Sequence, residues 1–453
     1  MIQSGRREFA LGLTAGLTGL AAAAVRRPNF IIFLADDLGW RDVSCFGATG
    51  VRTPNIDAIA RRGVRFSQYH CNAPECTPTR TALLTGRYQQ RVGGLECAIG
   101  VGNVGRYDEA SWLEKRGELG LPASETTFVK ALQKSGYATA CFGKWHLGYG
   151  ERFRPNHHGF DEYVSILGGN ANYFTHREED GTLVLARNGQ PLERKGYVTD
   201  IFAEEAGAWL KRRDSRPFCL YVPFTAPHTP IQDPDEYDPE TGTAPVQKRN
   251  RAVYAKMVER MDARIGDIMA QLRSTGREED TVVIFTSDNG GDPNGDNGEL
   301  RGRKSSTWQG GLRVPCVMQW PGRIPAGSGT AQVALTMDWS PTLLRAAGLG
   351  GAIPSDGIDL MPFARGVRAP ESRTVFWRYK RANDVRKAVR EGNLKLVADN
   401  GREELHDLGK DPREQHDLLA GSPAHATRLR TKLAAWEREV AAPRLRDFTP
   451  GGG

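Results

Sequence analysis

Phe30-Ile31-Ile32-Phe33-Leu34, continued by Ala35-Asp36-Asp37, is a short unbroken apolar run that stops on two acids. A run of this length without polar alternation suits a strand buried on both faces of a sheet. Three more runs share its texture: Thr139 to Phe142, Phe218 to Val222 and Val282 to Thr286. Between them lie stretches with the apolar spacing of helices, Asn55 to Arg62, Glu125 to Lys134, Val198 to Lys211 and Tyr254 to Leu272. Strands alternating with helices predict an α/β fold with a mostly parallel central sheet. In open sheets of that kind ligands bind beyond the carboxyl ends of the strands. Asp36, Asp37, Lys144, His146, Asp288 and Asn289 all fall at such ends.

After about residue 345 the texture changes. Short strand candidates (Thr374 to Tyr379, Lys387 to Val389, Leu394 to Val397, Glu403 to Leu405) precede an amphipathic helix from His425 to Val440. The expectation is a large domain over residues 25–345 and a C-terminal α+β subdomain over 346–453, with a small antiparallel sheet and a terminal helix. The segment Asp288 to Gly298, rich in Gly, Asp and Asn, reads as an active-site loop.

The 453 residues are 39% hydrophobic and 25% charged, the balance of a globular protein rather than a disordered or fibrous one. A formal net charge of +7 suits an anionic ligand, although a merely basic surface gives the same number. No basic-aromatic module is visible, so no nucleic-acid partner is expected. The cysteines, at 45, 71, 76, 97, 141, 219 and 316, have neither zinc-site spacing nor the density of a disulfide scaffold.

Residues 1–24 differ from the rest. Arg6 and Arg7 precede an apolar stretch from Phe9 to Leu20 and the run Ala21 to Ala24, with Glu8 as the only acid. Basic region, short apolar region and small residues, in that order, make a signal peptide, and the arginine pair resembles the twin-arginine type. The apolar stretch falls well short of the roughly 20 residues that span a bilayer. The expectation is an exported protein, periplasmic or extracellular, that uses the twin-arginine export machinery and keeps no stable membrane anchor.

Chemistry concentrates in Cys76-Thr77-Pro78-Thr79-Arg80, followed by Thr85-Gly86-Arg87. This resembles the signature of the formylglycine-dependent sulfatases, the arylsulfatase and N-acetylgalactosamine-sulfatase group within the alkaline phosphatase superfamily. Five fixed positions match by accident on the order of once in ten thousand chains of this length. The resemblance implies that a formylglycine-generating enzyme oxidises Cys76 to an aldehyde. Its hydrate carries two hydroxyls on one carbon: one attacks sulfur, and the other, once deprotonated, expels sulfate as the aldehyde re-forms. Arg80, one helical turn on, is expected to hold the hydrate with its fixed charge.

Taken alone, an Asp-Asp pair is more often a turn or a cap. Asp36-Asp37 and Asp288-Asn289 together place three carboxylates and an amide at equivalent strand ends, a hard-oxygen set suited to Ca²⁺ or Mg²⁺. In the sulfatases this pattern binds one calcium ion, so the resemblance implies Asp36, Asp37, Cys76, Asp288 and Asn289 as its ligands.

Gly143-Lys144-Trp145-His146 looks like the sulfatase Gly-Lys-Trp-His segment. It implies that Lys144 offsets the charge of sulfate and that His146 takes the proton of the second hydroxyl. Ala226-Pro227-His228-Thr229-Pro230 and Gly302-Arg303-Lys304-Ser305 resemble sulfate-binding segments of the family. They imply His228 as proton donor to the leaving alcohol and Lys304 as a further positive charge. Arg303 and Ser305 stand where many relatives carry glycine, so the charge of this loop is better defined than its conformation.

The resemblance runs through nearly the whole chain after the signal, including Thr53-Pro54-Asn55-Ile56-Asp57 and Asp338-Trp339-Ser340-Pro341-Thr342. It implies an alkaline-phosphatase-like layered fold and hydrolysis of sulfate monoesters on a sulfated small molecule or glycan. The alternatives are a phosphonate or phosphate ester hydrolase of the same superfamily and an inactive relative that binds sulfated glycans. The segments Asn170 to His176 and Trp377 to Arg381 are expected to wall the pocket, while their side chains Asn172, Tyr173, His176, Trp377 and Arg378 are candidates for that wall or else ordinary loop and core residues.

Overall fold

The computed structural model describes Met1 and residues 27–212 and 214–449, so the signal-peptide expectation lies outside the described residues. The first strands in chain order are β1 (Asn29–Ala35), β2 (Val64–Phe66), β3 (Tyr69–His70), β4 (Ala138–Lys144), β5 (Glu162–Ile166), β6 (Leu185–Arg187), β7 (Gln190–Pro191) and β8 (Phe218–Pro223). They continue as β9 (Thr281–Ser287), β10 (Cys316–Gln319), β11 (Ser328–Thr330) and β12 (Ala334–Leu335). The C-terminal set is β13 (Thr374–Arg381), β14 (Asp384–Glu391), β15 (Leu394–Asp399) and β16 (Arg402–Asp407). Ten of them form one sheet in the order β11-β2-β10-β9-β1-β8-β4-β5-β6-β7. Its centre, β9-β1-β8-β4-β5, is parallel throughout, as the sequence predicts. Antiparallel pairs at β10 and from β6 outward flank that centre.

Strand β1 shows why its sequence is an unbroken apolar run. Phe30, Ile32 and Leu34 enter one core, and Ile31, Phe33 and Ala35 enter the other, on the opposite face. Helices Cys76–Thr85, Phe128–Lys134 and Trp339–Ala346 pack on the first face. Helices Pro54–Arg61, Val198–Lys211 and Arg251–Ser274 pack on the second. The helix expected from Glu125 starts three residues later, because Thr127 is its cap: Thr127 Oγ1 accepts the amide of Lys130 at 3.1 Å.

β13 to β16 form an antiparallel sheet, and helix Pro423–Glu439 supplies Leu429 and Trp436 to the same buried cluster as Val375, Trp377 and Leu396. That cluster is continuous with the first core, so the C-terminal elements share an interior with the large sheet. Trp377 is fully buried and donates Nε1–H to the carbonyl of Cys71 at 2.9 Å. Burying a side chain of this size contributes on the order of 2–3 kcal/mol. It also ties β13 to the segment leading into helix Cys76–Thr85.

Candidate active site

Helix Cys76–Thr85 begins where Glu75 is extended (φ −149°, ψ 161°) and ends at Gly86, whose φ of 68° is natural for glycine. Pro78 is tolerated in the first turn, where amides have no intrahelical acceptor. All ten residues are buried. Cys76 therefore occupies a helix N-terminus, the end that favours negative charge.

Cys76 Sγ lies 3.2 Å from Asp36 Oδ1 and 3.6 Å from Lys144 Nζ, and Lys144 is itself ion-paired with Asp36. Arg80 donates Nε–H and Nη2–H to Asp288 Oδ2 at 3.0 and 2.8 Å, and Nη1–H to the Lys144 carbonyl at 2.6 Å. Burial alone would raise the Asp36 carboxyl; Lys144, His228 and Arg80 outweigh it and hold Asp36 well below the usual carboxylate range. Asp288 moves the other way, raised by burial and by the charge of Asp36. Burial and Asp36 also push the Cys76 thiol up, so the cysteine itself stays protonated.

Asp37 and His146 have φ of 63° and 57°, a region rarely occupied by residues other than glycine and found at sites held in place by their surroundings. Asp37 donates its amide to Asp288 Oδ1 at 3.3 Å. Its carboxylate accepts from Asn289 Nδ2 and Lys304 Nζ, both at 2.7 Å. Lys304 Nζ also donates to His228 Nε2 at 3.1 Å, while His228 Nδ1 lies 2.6 Å from the carbonyl of Thr229. Nδ1 is thus the protonated nitrogen and Nε2 the free acceptor. Burial, then Lys304 and Lys144, push His228 down to about 4. His146 donates Nε2–H to the carbonyl of Ile99 at 2.9 Å, which leaves its buried Nδ1 without a partner.

Among the described residues, Asp36, Asp37, Cys76 and His228 offer ligand atoms that all lie within 4.8 Å of one another. Asn289 Oδ1 is buried beside them with no hydrogen-bond partner. An orphaned acceptor next to two carboxylates fits a hard, oxygen-seeking cation. Sequence spacing did not bring His228 to this cluster. Asp288, expected from the sequence as a ligand, is not among these four: its Oδ2 accepts from Arg80 and its Oδ1 from the amide of Asp37.

Cys76, His146, His228 and Lys304 line a cavity of about 280 Å³. None of Asn172, Tyr173, His176, Trp377 and Arg378 does, so these five are loop and core residues. Tyr173 is buried, and its hydroxyl bonds to the carbonyls of Thr225 and His228 at 2.9 and 2.8 Å, which steadies the His228 loop. Arg378 is paired with Glu96 and Glu437. The segments they come from touch the cavity only through Asn170 and Arg381. Glu75, Arg106, Tyr149 and Glu178 also line it and belong to no motif read from the sequence; only Glu75, directly before Cys76, carried a positional signal.

Ser305 adopts a glycine-like φ of 68°. The strain is held by three contacts: Ser305 N to the Pro74 carbonyl at 2.8 Å, Oγ to Glu75 Oε1 at 2.7 Å, and Arg386 to the Ser305 carbonyl.

Comparison with known proteins agrees with this geometry. The sequence model of the sulfatase family matches residues 28–349, and one described as N-sulphoglucosamine sulphohydrolase, C-terminal, matches residues 303–439. Arylsulfatase A of Homo sapiens is 32% identical over 477 residues, covering 92% of this chain and 87% of its own length. N-acetylgalactosamine-6-sulfatase of Canis lupus familiaris is 32% identical, covering 79% of this chain and 70% of its own. The solved structure of Ps i-CgsB in complex with k-i-k-neocarrahexaose has a TM-score of 0.80 at 29% identity, covering 91% of this chain and 93% of that one. The alkaline-phosphatase-like layering expected from the sequence is therefore the fold of this chain.

Proposed function

The chain belongs to the sulfatase family, and from that premise we propose that it hydrolyses the sulfate ester of a sulfated carbohydrate, using a formylglycine made from Cys76 and one bound calcium ion. The observation that carries the reading is the setting of Cys76: a helix N-terminus, 3.2 Å from Asp36, with Lys144 beside it and His228 in the same cluster. Cys76 Sγ stands in for the oxygen of the aldehyde hydrate, which would supply the nucleophile and later release sulfate. A calcium ion held by Asp36, Asp37, Asp288 and Asn289 would polarise a sulfate oxygen and favour an ionised hydroxyl.

The chain's own residues then divide the remaining work. Lys144 and Lys304 offset the charge that gathers around sulfur, in a buried site where such charges act strongly. His228 Nε2 takes a proton from the Lys304 ammonium that donates to it and passes it to the leaving oxygen, while Nδ1–H stays fixed on Thr229. His146 Nδ1, neutral and unpartnered, takes the proton whose removal frees sulfate. The carbohydrate substrate is supported by the names of N-acetylgalactosamine-6-sulfatase and of the neocarrahexaose complex.

Arg6 and Arg7 support export of the folded enzyme through the twin-arginine machinery, after a formylglycine-generating enzyme has acted inside the cell. Among the described residues no helix is long and apolar enough to cross a membrane. Changing both arginines to lysine is expected to retain the enzyme in the cytoplasm, and unchanged export would reject this route.

The central test combines mass spectrometry of the peptide containing residue 76 with sulfate release from defined sulfated oligosaccharides. An aldehyde in place of the thiol, turnover of at least one glycan, and loss of turnover in a normally folded Cys76→Ala variant are expected. Activity surviving in that variant would remove Cys76 from the nucleophile role.

A further inference from the structure

Tyr149, Asn170 and Glu178 form a stretch of cavity wall that none of the steps above uses. Tyr149 donates its hydroxyl to Glu178 Oε1 at 2.7 Å, and Glu178 Oε2 has no hydrogen-bond partner. Glu178 is only 5% exposed, and no cation pairs with it among the described residues. A carboxylate withdrawn from water without a counter-ion is costly, and a fold retains one where something else requires it. Asn170 repeats the pattern, since its Oδ1 is also buried without a partner. The wall therefore presents two buried acceptor oxygens, Glu178 Oε2 and Asn170 Oδ1, that make no hydrogen bond, with the backbone amides of Gly169 and Asn170 beside the Glu178 carboxyl.

The backbone between these groups and the reacting centre is bare. A Cβ added at Gly168 would lie 1.9 Å from Glu178 Oε1 and 2.8 Å from the Tyr149 hydroxyl. One added at Gly169 would lie 2.4 Å from His146 Nε2. Glu178 and His146 thus press on consecutive glycines, and no side chain can separate the acceptor wall from the candidate catalytic histidine.

We propose that Glu178 and Asn170, with Tyr149 holding the carboxylate, form a recognition subsite for hydrogen-bond donors, hydroxyl or ammonium groups, on the sugar ring that bears the sulfate. This rests on the sulfatase reading of the cavity and adds what the substrate must present beside its ester. A sugar offers donors on carbons adjacent to the sulfated one; an aryl sulfate offers none. A site that pairs buried acceptors with substrate donors discriminates strongly, because an analogue without the donor leaves those acceptors unsatisfied.

The test measures binding by calorimetry to the full chain carrying Cys76→Ala, so that affinity is read without turnover. The probes are a panel of monosulfated hexoses, hexosamines and their N-acetyl forms, with an aryl sulfate and inorganic sulfate as ligands lacking sugar donors. Adding Glu178→Gln exchanges an acceptor oxygen for an amide donor at nearly constant volume. The tightest sugar should lose at least about tenfold in affinity, while aryl and inorganic sulfate change by less than about twofold. A deoxy analogue of that sugar, lacking the contacted hydroxyl, should lose nothing further in the variant. Equal losses on all probes would mark a structural role and overturn the proposal, as would unchanged sugar affinity. Failure of every panel sugar to bind more tightly than inorganic sulfate would overturn it too. Turnover is scored separately on the Cys76 enzyme: sugar binding without sulfate release from any ester would reject the sulfatase reading and leave the subsite standing.

Discussion

Lys304 donates to His228, with Nζ 3.1 Å from Nε2, while the same ammonium lies 2.7 Å from Asp37 Oδ2. One lysine thus joins the candidate proton donor to the acidic pair at the end of β1. The arrangement keeps the His228 ring neutral at rest, with its one proton on Nδ1, because burial and the positive charge of Lys304 both oppose a second.

Replacing this lysine should move two quantities in opposite directions. Lys304→Met removes the second-largest cause of the His228 depression, so its titration midpoint should rise above about 4 when followed by NMR of the imidazole. The same change removes positive charge from the transferring group and should lower kcat/KM for a sulfate ester by roughly a hundredfold or more. A midpoint that stays in place would show that Lys304 does not act on His228.

The cation site makes a prediction readable without turnover. At a calcium concentration a hundred times the dissociation constant, binding to the folded state alone should add about 2.7 kcal/mol of stability. Asn289→Ala deletes the orphaned Oδ1 and should remove most of that calcium-dependent rise in Tm. Stoichiometric zinc in the purified protein, with no response to calcium, would contradict a hard-oxygen site.

His158 predicts part of the acid limb of stability. It is buried against Trp145, with ring centroids 5.4 Å apart and neither nitrogen hydrogen-bonded. Burial, then Lys130, push it from 6.5 down to about 3. Between those values the unfolded chain binds the proton and the folded one does not, so stability falls as pH drops from 6.5 toward about 3. His158→Phe should flatten this decline in thermal unfolding measured across that range. Parallel pH curves for the two proteins would assign the acid sensitivity elsewhere.

The parts of this molecule that were legible in its sequence are those whose signal is local. Four strands could be read as apolar runs because a strand covered on both faces has no polar positions to interrupt it, as β1 and β9 illustrate. Cys76 to Arg80 and Gly143 to His146 were readable because each motif lies within one turn or one strand end. Trp377 was open to misreading as a pocket residue because Arg378 and Arg381 surround it with charge. The alternation of buried Val375, Trp377 and Tyr379 along β13 was the signal that places it in the core. Asn170 opens a segment expected to wall the pocket, whereas Tyr149 and Glu178 left no such trace, since irregular segments without periodicity carry them to the cavity from both sides of β5.

The choice between sulfate and phosphate follows from the balance of charge around Cys76. Arg80, Lys144 and Lys304 stand against Asp36, Asp37 and Asp288, so the protein's own charges nearly cancel. One divalent cation bound there would leave a surplus of two positive charges. A sulfate monoester brings one negative charge and an ionised nucleophile brings another, which closes the balance. A phosphate monoester near neutral pH brings close to two on its own and leaves the buried site with an uncompensated anion. An aryl sulfate should therefore exceed the aryl phosphate of the same alcohol in kcat/KM by at least about a hundredfold, roughly 2.7 kcal/mol of transition-state discrimination. The singly charged aryl phosphonate of that alcohol should fall between the two, because it matches sulfate in charge but not in chemistry. The measurement requires saturating calcium and one leaving group throughout, so that neither metal occupancy nor fit of the alcohol enters the ratio. Equal or reversed values for sulfate and phosphate would assign the chain to phosphoryl transfer instead.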